Sequence, residues 1–502
     1  MSNSTSVNIF SSSLPSLVSG FIDSCAAFPN RPALFINERH YTYSELMQLA
    51  TAIYLKINKS KQYKQIGVYC THDVFSYAAL LAVSMYGAAY VPLNPLFPIA
   101  RTTSSIKECE LEIILSAQAL PAYTDESTQV VVCSTLDNSV SSKISVPEQI
   151  SDNEYAYILF TSGSTGKPKG VPVSKKNTEA FFKFFLSNYT FNETDKFLQP
   201  YELTFDVSVF AMFMPWFVGA CCYAVPQEGI KYLNIVKTLQ QHKITVCSMV
   251  PTVLPYIEKY LHQLQLPDLR YSFFSGDALY QDLAVKWKAC FPNGELHNFY
   301  GPTETTIVCT RYVWEENKSK AESLHNIVPL GLPFKGMEHL LVDEENKPVQ
   351  ENETGELCFS GDQVIPAYLH QSNEESFFAF DNKRYYKTGD MASLNKNGNL
   401  VFHGRKDTQV KINGYRVELA EVEHAIAGIT STNCVVLLQK DTKGFNCLIA
   451  FIDKAYPEKQ LMEELEKRLP EYMLPKKIIT LTAWPLSVNG KIDKRRLVES
   501  SW

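Results

Sequence analysis

The chain has 502 residues, which is too long for one ordinary hydrophobic core and predicts about two to four domains or subdomains. Hydrophobic residues make up 45% and charged residues 20%, as in an ordinary globular protein, and the net charge of -6 gives no electrostatic reason to expect nucleic-acid binding. The 12 cysteines include no C-x-x-C pair and the 10 histidines form no H-E-x-x-H motif, so we predict buried free thiols in the cytoplasm rather than a zinc site or a disulfide framework.

Strand-like and helix-like segments alternate through roughly the first four hundred residues. The short apolar runs "KQIGVYC", "LEIILSA", "YAYILFTS", "ACCYAVP" and "TVCSMVP" are mostly separated by helix-like segments, and "SYAALLAVSMYGAAYVPLN" is typical of a helix that leads into a short strand. This alternation predicts the α/β class, with helices layered on largely parallel sheets.

One apolar stretch could be long enough to cross a membrane, because no charged residue lies between Asp206 and Glu228. Pro215, Pro226 and the polar break at residues 219–222 favour a buried helix followed by a buried strand. We therefore predict that this stretch belongs to the core and that the chain has no membrane span.

The pattern changes near Gly355, where short strands and turns follow one another in "GELCFSG", "RYYKTGD" and "NGNLVFHGR". A compact α+β unit is predicted after Asp407, from the strand "QVKING", the helix "LAEVEHAIAG", the strands "NCVVLLQK" and "FNCLIAFID", and the helix "KQLMEELEKRLP". We therefore predict two domains, residues 1–406 and 407–502.

A loop rich in glycine, hydroxyl and lysine side chains follows the apolar run at 157–160, in "FTSGSTGKPKG". Glycines allow close backbone approach, and hydroxyl and ammonium groups donate hydrogen bonds to phosphate. The Walker spacing is not met, since Gly163, Gly166 and Lys167 lie too close together and Pro168 disfavours a helix at this point. The pattern predicts a phosphate-binding hairpin, the alternative being a flexible surface turn.

This loop resembles the signature loop of the adenylate-forming superfamily, which includes nonribosomal peptide synthetase adenylation domains, acyl-CoA synthetases and D-alanine–carrier-protein ligases. Further motifs follow in the order of that family, in "GAAYVPLNPLFP", "LTFDVSVFAMF", "NFYGPTETT", "GELCFSG", "YKTGD", "HGRKDTQVKINGYRVELAEVE" and "PLSVNGKIDKRRL". The resemblance implies a large N-terminal domain of stacked sheets and helices and a small mobile C-terminal domain. It also implies two steps: a carboxylate attacks the α-phosphate of ATP to give an acyl-adenylate and pyrophosphate, and a thiol then displaces AMP.

The resemblance implies ATP and Mg²⁺ as cofactors and assigns residues to them. Glu304 would hold Mg²⁺, Tyr300 would stack on adenine, and Asp390 would accept hydrogen bonds from both ribose hydroxyls. Arg405 would make a second ribose or phosphate contact. The other residues implied in contacts with the phosphates or the base are Thr161, Ser162, Gly163, Ser164, Thr165, Gly166, Lys169, Gly276, Asp277, Ala278, Asn298, Gly301 and Thr303.

Two residues of the C-terminal region carry family roles in catalysis and movement. Lys491, in "NGKID", matches the catalytic lysine, which would bridge the attacking carboxylate and the α-phosphate. Asp407 matches the hinge whose rotation would withdraw Lys491 and bring up the face near Gly414 for the thiol. From physics alone, a solvated lysine and an ordinary loop aspartate remain the alternatives.

Asp206, in "TFDVSVF", indicates which class of carboxylic acid is activated. In the amino-acid-activating branch an aspartate here pairs with the α-ammonium of the substrate, and a buried carboxylate without a cation is costly. The alternative is that Asp206 caps a helix beginning at Ser208. Positions carried over from that branch predict an amino-acid pocket lined by Asp206, Val207, Phe210, Ser248, Phe273, Ser275, Phe299, Ile307, Val308 and Lys491.

Three phenylalanines in this lining leave a short cavity and two serines could bond a hydroxyl group, so we favour a serine-like substrate, with alanine or glycine next. The chain ends five residues beyond Leu497 without a carrier domain, so we expect a free-standing ligase that loads the phosphopantetheine thiol of a separate carrier protein. The alternatives are an acyl- or aryl-CoA ligase that uses free CoA and a catalytically silent adenylate-binding protein.

Overall fold

The predicted alternation of strands and helices is present in a computed structural model of the protein, which describes residues 17–57, 62–120, 128–137, 154–163, 168–370, 372, 374–412, 414–441, 444–485 and 492–499. The helices are α1 (Ser19–Ala27), α2 (Tyr43–Ile57), α3 (Val74–Tyr86), α4 (Ile99–Glu108), α5 (Lys175–Asn188), α6 (Val207–Phe217), α7 (Lys231–Gln241), α8 (Val253–Leu261), α9 (Gln281–Lys288), α10 (Glu316–Glu322), α11 (Leu419–Thr430), α12 (Glu458–Glu466) and α13 (Lys494–Glu499).

The strands are β1 (Pro32–Ile36), β2 (Arg39–Thr42), β3 (Gln65–Tyr69), β4 (Ala89–Leu93), β5 (Ile113–Ser116), β6 (Gln129–Val132), β7 (Tyr155–Thr161), β8 (Lys169–Ser174), β9 (Lys196–Gln199), β10 (Cys221–Ala224), β11 (Val246–Met249), β12 (Tyr271–Phe274), β13 (Glu295–Tyr300), β14 (Thr310–Val313), β15 (Leu332–Pro333), β16 (Met337–Val342), β17 (Gly355–Gly361), β18 (Phe377–Phe380), β19 (Lys383–Leu394), β20 (Leu400–Arg405), β21 (Gln409–Ile412), β22 (Tyr415–Glu418), β23 (Cys434–Lys440), β24 (Asn446–Ile452) and β25 (Lys477–Thr480).

Two large sheets contain most strands of the N-terminal part. The nine-stranded sheet has the order β15-β14-β13-β12-β11-β9-β10-β1-β2, and its six strands from β13 to β1 pair in parallel. The six-stranded sheet has the order β6-β5-β3-β4-β7-β8 and is parallel except for the hairpin β7–β8. Strands of parallel sheets are covered on both faces and form continuous apolar runs, which is why the sequence located them.

Helix α6 is the buried helix predicted for the uncharged stretch. All eleven of its residues are buried, and the strand β10 that follows is buried too. The helix packs on α1, β9 and β10. Among the residues that the structure describes, no helix is long and apolar enough to span a membrane.

The start of helix α5 is fixed by a capping box between Ser174 and Asn177. The Asn177 side-chain amide also donates a hydrogen bond to the Asp362 carbonyl oxygen at 2.7 Å. This contact anchors the helix that carries Phe181 and Phe185, two side chains that line a cavity described below.

Antiparallel strands follow the two large sheets. Strands β16 to β20 form one antiparallel sheet, which begins at Met337, one strand earlier than the change near Gly355 indicates. Beyond it, the hairpin β21–β22, the sheet β23-β24-β25 and helices α11 and α12 form a C-terminal unit whose apolar side chains, between Ile412 and Met473, make a separate core. The α/β class with a small α+β unit is thus present, whereas the domain boundary at 406/407 stays a prediction.

Candidate active site

Three cavities adjoin one another beside the C-terminal unit. The central cavity, of about 150 Å³, is lined by the ends of β7 and β13, the start of α6, and hairpin β21–β22. The Asp277 cavity, of about 350 Å³, and the Gly414 cavity, of about 390 Å³, each share lining residues with it. Ligand sites of α/β sheets lie at the carboxyl ends of parallel strands, which is where the first two cavities are found.

The predicted phosphate loop joins two paired strands. Thr161 ends β7 opposite Lys169, which begins β8, as expected for a hairpin. The Thr161 hydroxyl is buried without a hydrogen-bond partner among the described residues. The Lys169 ammonium lies 5.2 Å from the centre of the Tyr368 ring. Gly163 is buried, whereas Ser164, Thr165 and Gly166 lie outside the described residues.

Glu304 is almost fully enclosed, with 1% of its side chain exposed. It lies in a single helical turn directly after β13. The Tyr368 hydroxyl donates to Glu304 Oε1 at 2.6 Å, and Arg416 Nη1 lies 3.1 and 3.0 Å from the two carboxylate oxygens. Burial opposes ionisation of this carboxyl, but Arg416 and Tyr368 together hold the pKa of Glu304 below its usual value.

Arg416 also contacts the phosphate loop. Its backbone carbonyl oxygen accepts a hydrogen bond from the Ser162 hydroxyl at 2.9 Å. Arg416 belongs to β22 of the C-terminal unit, so one residue of that unit engages two groups that the sequence predicted to bind phosphate and metal.

The Asp277 cavity contains two free hydrogen-bond acceptors. Asp277 Oδ1 accepts from the Ala278 amide at 2.8 Å, and Asn298 Nδ2 donates to the Pro329 carbonyl at 2.9 Å. Asp277 Oδ2 and Asn298 Oδ1 are buried without partners among the described residues. Tyr300, Gly276 and Gly301 line both this cavity and the central one.

Asp390, Arg405 and Asp407 form one chain of ion pairs. Arg405 Nη1 donates to Asp390 at 2.7 Å, and the other side of its guanidinium donates two hydrogen bonds, of 2.7 and 2.6 Å, to Asp407. Tyr300 donates to the second oxygen of Asp390 at 2.5 Å. Gly389 has a φ of +75°, which is strained for other residues, and a Cβ atom there would lie 2.5 Å from Arg405 Nη2, so a side chain would also displace the guanidinium.

A small apolar cavity lies behind α6 and is called here the Phe cavity. Its volume is about 10 Å³. Within it, the Phe185 ring centre lies 4.6 Å from that of Phe210 and 5.4 Å from that of Phe299. The Ser248 hydroxyl lies 3.1 Å from the Tyr201 hydroxyl. The lining residues are Phe181, Phe185, Val207, Phe210, Ser248, Phe273, Ser275, Phe299, Ile307 and Val308.

Asp206 lies where the Phe cavity meets the central cavity. Asp206 lines the central cavity, and Val207, Ser275 and Ile307 line both. Burial raises the pKa of Asp206 to about 6, an effect that the Thr303 hydroxyl partly opposes. Asp206 does occupy the N-cap position of α6, which begins at Val207 rather than Ser208, but its side chain makes no capping hydrogen bond within the described helix, and the amide that lowers its pKa is that of Val207.

The loop that carries Ile307 is strained. Thr306 and Ile307 have φ angles of +60° and +71°, which are unfavourable for β-branched residues. The buried Gln363 side chain holds this loop by donating to the Val308 carbonyl at 2.8 Å, and the Thr306 hydroxyl donates to the Gln363 carbonyl at 2.6 Å. These hydrogen bonds therefore hold the strained loop and keep Ile307 at the boundary between the two cavities that it lines.

The Gly414 cavity lies between the N-terminal part and the C-terminal unit. Tyr415 donates to Glu202 across this interface at 2.5 Å. Gly414 has a φ of +85°, and a Cβ atom there would lie 2.8 Å from the Val250 side chain. The face near Gly414, which was predicted to receive the thiol, is thus packed against the N-terminal part, and Phe205 lines both this cavity and the central one.

The residues present are compatible with Mg²⁺ brought by a nucleotide. Mg²⁺ commonly binds one or two carboxylates and completes its shell with water and phosphate oxygens. Glu304 supplies one buried carboxylate directly after Thr303, and Thr303 lines the central cavity together with Thr161, whose hydroxyl has no hydrogen-bond partner in the described part of the chain. The described part of the chain contains no group of three or more His, Cys, Asp or Glu residues that could hold an ion alone.

Several residues of the site were not predicted from sequence. Phe181 and Phe185 could have been suggested by their spacing of four on one helix. Arg416 lies inside the quoted motif "VKINGYRVELAEVE", but nothing in the motif indicates its partner Glu304, which is 112 positions away. No sequence pattern indicated that Gln363 and Tyr368 belong to the site. Lys491, the predicted catalytic lysine, lies outside the described residues.

Comparison with known proteins gives concordant matches. The model of the AMP-binding enzyme family matches residues 21–369. Zwittermicin A synthase ZmaJ of Bacillus cereus is 30% identical over 486 residues, which cover 93% of this chain and 92% of that protein. The chain spans 36% of the length of one further curated relative and 6% to 9% of three others.

Solved structures are similar over nearly the whole chain. The adenylation domain AlmE of Vibrio cholerae, in complex with glycyl-adenosine-5'-phosphate, has a TM-score of 0.81 and 25% identity over 98% of this chain and 99% of that one. Holo-PA1221, a nonribosomal peptide synthetase protein containing adenylation and PCP domains, has a TM-score of 0.83 at 23% identity over 97% of this chain and 84% of that one, which shows likeness of fold alone.

Proposed function

The chain belongs to the AMP-binding enzyme family, and from this premise we propose that it uses ATP to activate a small amino acid as an aminoacyl-adenylate and then transfers the aminoacyl group to the phosphopantetheine thiol of a separate carrier protein. The predicted resemblance to the amino-acid-activating branch and the predicted fold are confirmed by the relatives and solved structures. The free-CoA alternative is not favoured by these comparisons.

The observation that carries the proposal is the position of Asp206 in the lining of the central cavity, beside Val207, which lines both this cavity and the Phe cavity. A zwitterion could place its α-ammonium on this carboxylate, its side chain in the Phe cavity and its carboxylate in the central cavity. An ammonium ion would neutralise a carboxylate whose burial otherwise disfavours its charge. A fatty or aryl acid has no ammonium group to offset that charge.

The proposed small side chain follows from the size of the Phe cavity. A volume of about 10 Å³ is close to that of one water-sized sphere. A hydrogen atom, a methyl or a hydroxymethyl group is therefore favoured over a branched side chain. We favour serine because Ser248 and Ser275 line the cavity, with alanine and glycine next; the glycyl-adenylate bound to AlmE is in keeping with this size class.

For the first step, we assign ATP to the central cavity and the Asp277 cavity. Asp277 Oδ2 and Asn298 Oδ1, which have no partner among the residues the structure describes, suit the exocyclic amine of adenine, and Asp390 with Arg405 suits the ribose. Mg²⁺, when bound at Glu304, would neutralise triphosphate charge. The phosphate groups would contact Lys169 and the loop that begins at Thr161, and we keep Lys491 as the proposed cation at the reacting carboxylate.

For the second step, we assign the Gly414 cavity to the arm that carries the thiol. Its volume of about 390 Å³ would hold a long flexible arm, and Phe205 and Tyr415, which line both this cavity and the central one, would place the end of that arm next to the adenylate. Rotation at Asp407 would exchange this arrangement for the one that brings Lys491 to the site.

The test is amino-acid-dependent exchange of pyrophosphate into ATP, measured for each of the common amino acids and for acids that lack an amine. We expect exchange with serine, alanine or glycine, reduced at least about 10²-fold by Asp206→Ala through loss of a buried ion pair. Asp282→Ala, at an exposed aspartate, is the control. No exchange with any amino acid, or exchange with an acid lacking an amine that survives Asp206→Ala, would contradict the proposal.

A further inference from the structure

The Gly414 cavity has one carboxylate in its lining among the residues that the structure describes. This carboxylate belongs to Glu202, which lies half-buried in the loop after β9. Most of the other lining residues are apolar or aromatic, among them Met249, Val253 and Tyr256. A charged group in such surroundings costs free energy unless it is paired, so its presence here points to a role in binding or catalysis.

Glu202 lies where the Gly414 cavity meets the central cavity. Its Oε2 accepts a hydrogen bond from Asn94 Nδ2 at 2.5 Å, and its Oε1 accepts one from the Tyr415 hydroxyl at 2.5 Å. Both donors line the central cavity. The carboxylate is therefore one side chain away from the cavity assigned to the adenylate.

The Glu202 carboxylate can accept a further hydrogen bond. An ionised carboxylate offers about four lone-pair sites, and the contacts with Asn94 and Tyr415 use two of them, one on each oxygen. These contacts also fix the orientation of the carboxylate. Lys231 lines the same cavity and interacts electrostatically with Glu202. An oriented carboxylate with remaining acceptor sites is suited to take a proton from a group that enters the cavity.

The thiol of the arm has such a proton to lose. The thiolate is the nucleophilic form of a thiol, and an alkyl thiol is mainly protonated at neutral pH. The proton on sulfur becomes strongly acidic as sulfur bonds to the acyl carbon. A positioned carboxylate can therefore remove it in the transition state, although a carboxylate is only a weak base.

We propose that Glu202 is the general base of the second step. The S–H bond breaks and its proton passes to the Glu202 carboxylate while the C–S bond forms at the acyl carbon. The C–O bond to the phosphate of AMP then breaks, AMP leaves with that electron pair, and Glu202 releases the proton to solvent. This inference rests on the proposed function, because it needs the adenylate in the central cavity and the thiol in the Gly414 cavity.

The experiment is a single-turnover transfer assay on the full chain. The aminoacyl-adenylate is formed first, and its loss is followed after a thiol is added. The probes are pantetheine, ethanethiol and 2,2,2-trifluoroethanethiol at about pH 8, where the last is largely ionised and needs no base. We expect Glu202→Gln to slow transfer to pantetheine and ethanethiol about 10²-fold, and transfer to trifluoroethanethiol less than about threefold.

Two control variants separate base catalysis from a loss of local structure. Tyr415→Phe removes one hydrogen bond to the carboxylate but keeps the carboxylate, so it should change the rates with all three thiols by similar factors. Glu258→Gln alters an exposed carboxylate on α8, a helix that also lines the cavity, and should change none of the rates. Thermal unfolding checks that each variant is folded.

Equal slowing with ethanethiol and trifluoroethanethiol in Glu202→Gln, or no slowing with either, would overturn the role of Glu202 as the base. Selective slowing with the protonated thiols in Lys231→Gln but not in Glu202→Gln would overturn it as well. Absence of amino-acid-dependent pyrophosphate exchange in the wild-type chain would instead overturn the proposed function, and that result comes from a separate assay without a thiol.

Discussion

The side-chain amide of Gln363 donates a hydrogen bond to the Val308 carbonyl oxygen at 2.8 Å and thereby holds the strained loop at Ile307. We predict that Gln363→Ala lowers the free energy of unfolding by about 1–3 kcal/mol, because a buried carbonyl loses its donor. It should also lower kcat/KM for the amino acid, since Ile307 lines the cavity boundary. Thermal unfolding and exchange kinetics measure both effects, and Gln263→Ala, at an exposed glutamine, should change neither.

We expect that the buried carboxylate of Asp206, which is proposed to bind the substrate, lowers the free energy of unfolding of the free protein. Its folded-state pKa of about 6 lies above the ordinary value of 3.8, so the folded chain retains a proton that the unfolded chain loses between these values. The contribution of Asp206 to the free energy of unfolding is thus highest below about pH 4 and falls as the pH rises to about 6. We predict that Asp206→Asn raises the free energy of unfolding at pH 7 by about 1–3 kcal/mol, measured by denaturant titration. A destabilised variant would contradict this.

The same group sets the pH dependence of substrate capture. An ammonium ion pairs with the ionised form of Asp206, so kcat/KM for the amino acid should fall about tenfold per pH unit below about pH 6. The measurement is initial-rate exchange kinetics from pH 5 to pH 8, at saturating ATP. A flat profile through about pH 6 would show that this carboxylate does not control binding.

Substrate size should be controlled by Phe273 but not by Phe274, the next residue of β12. Successive side chains of a strand face opposite sides, and Phe273 lines the Phe cavity whereas Phe274 packs in a separate apolar cluster. We predict that Phe273→Leu and Phe274→Leu each cost about 1–2 kcal/mol of stability. Only Phe273→Leu should extend exchange activity to larger amino acids, as measured across a panel of side chains. If the two variants supported exchange with the same set of amino acids, the placement of the amino-acid pocket at the Phe cavity would be contradicted.

Base recognition should depend on the two acceptors of the Asp277 cavity that lack a partner within the described ranges of the chain. Asp277 Oδ2 and Asn298 Oδ1 can accept from the amine of ATP, whereas ITP presents a carbonyl oxygen there. We predict at least about tenfold preference for ATP in kcat/KM, reduced in Asn298→Ala. Asn188→Ala, at an exposed asparagine, is the control. Equal use of the two nucleotides by the unmodified protein would contradict the assignment of the base to this cavity.

Local features of the sequence determined the class of the fold and most of its elements. Buried parallel strands have continuous apolar sequences, so they could be predicted from the sequence. A helix that is apolar on all sides, such as α6, is expected in the core, so its burial could be predicted too. Positions carried over from the amino-acid-activating branch, rather than any local pattern, named eight residues that line the Phe cavity, which the structure brings together from α6, β11, β12 and the residue after it, β13 and the loop after Tyr300.

Tertiary structure alone decided which distant groups meet. Arg416 and Glu304 are 112 positions apart, and Gln363 and Val308 are 55 apart, yet each pair is joined by hydrogen bonds. Neither side chain of such a pair carries a local pattern, because the partner is set by how separate sheets and the C-terminal unit pack. The cavity volumes, the strain at Ile307 and the raised pKa of Asp206 arise from that packing too, since burial is a property of the assembled chain and not of any segment.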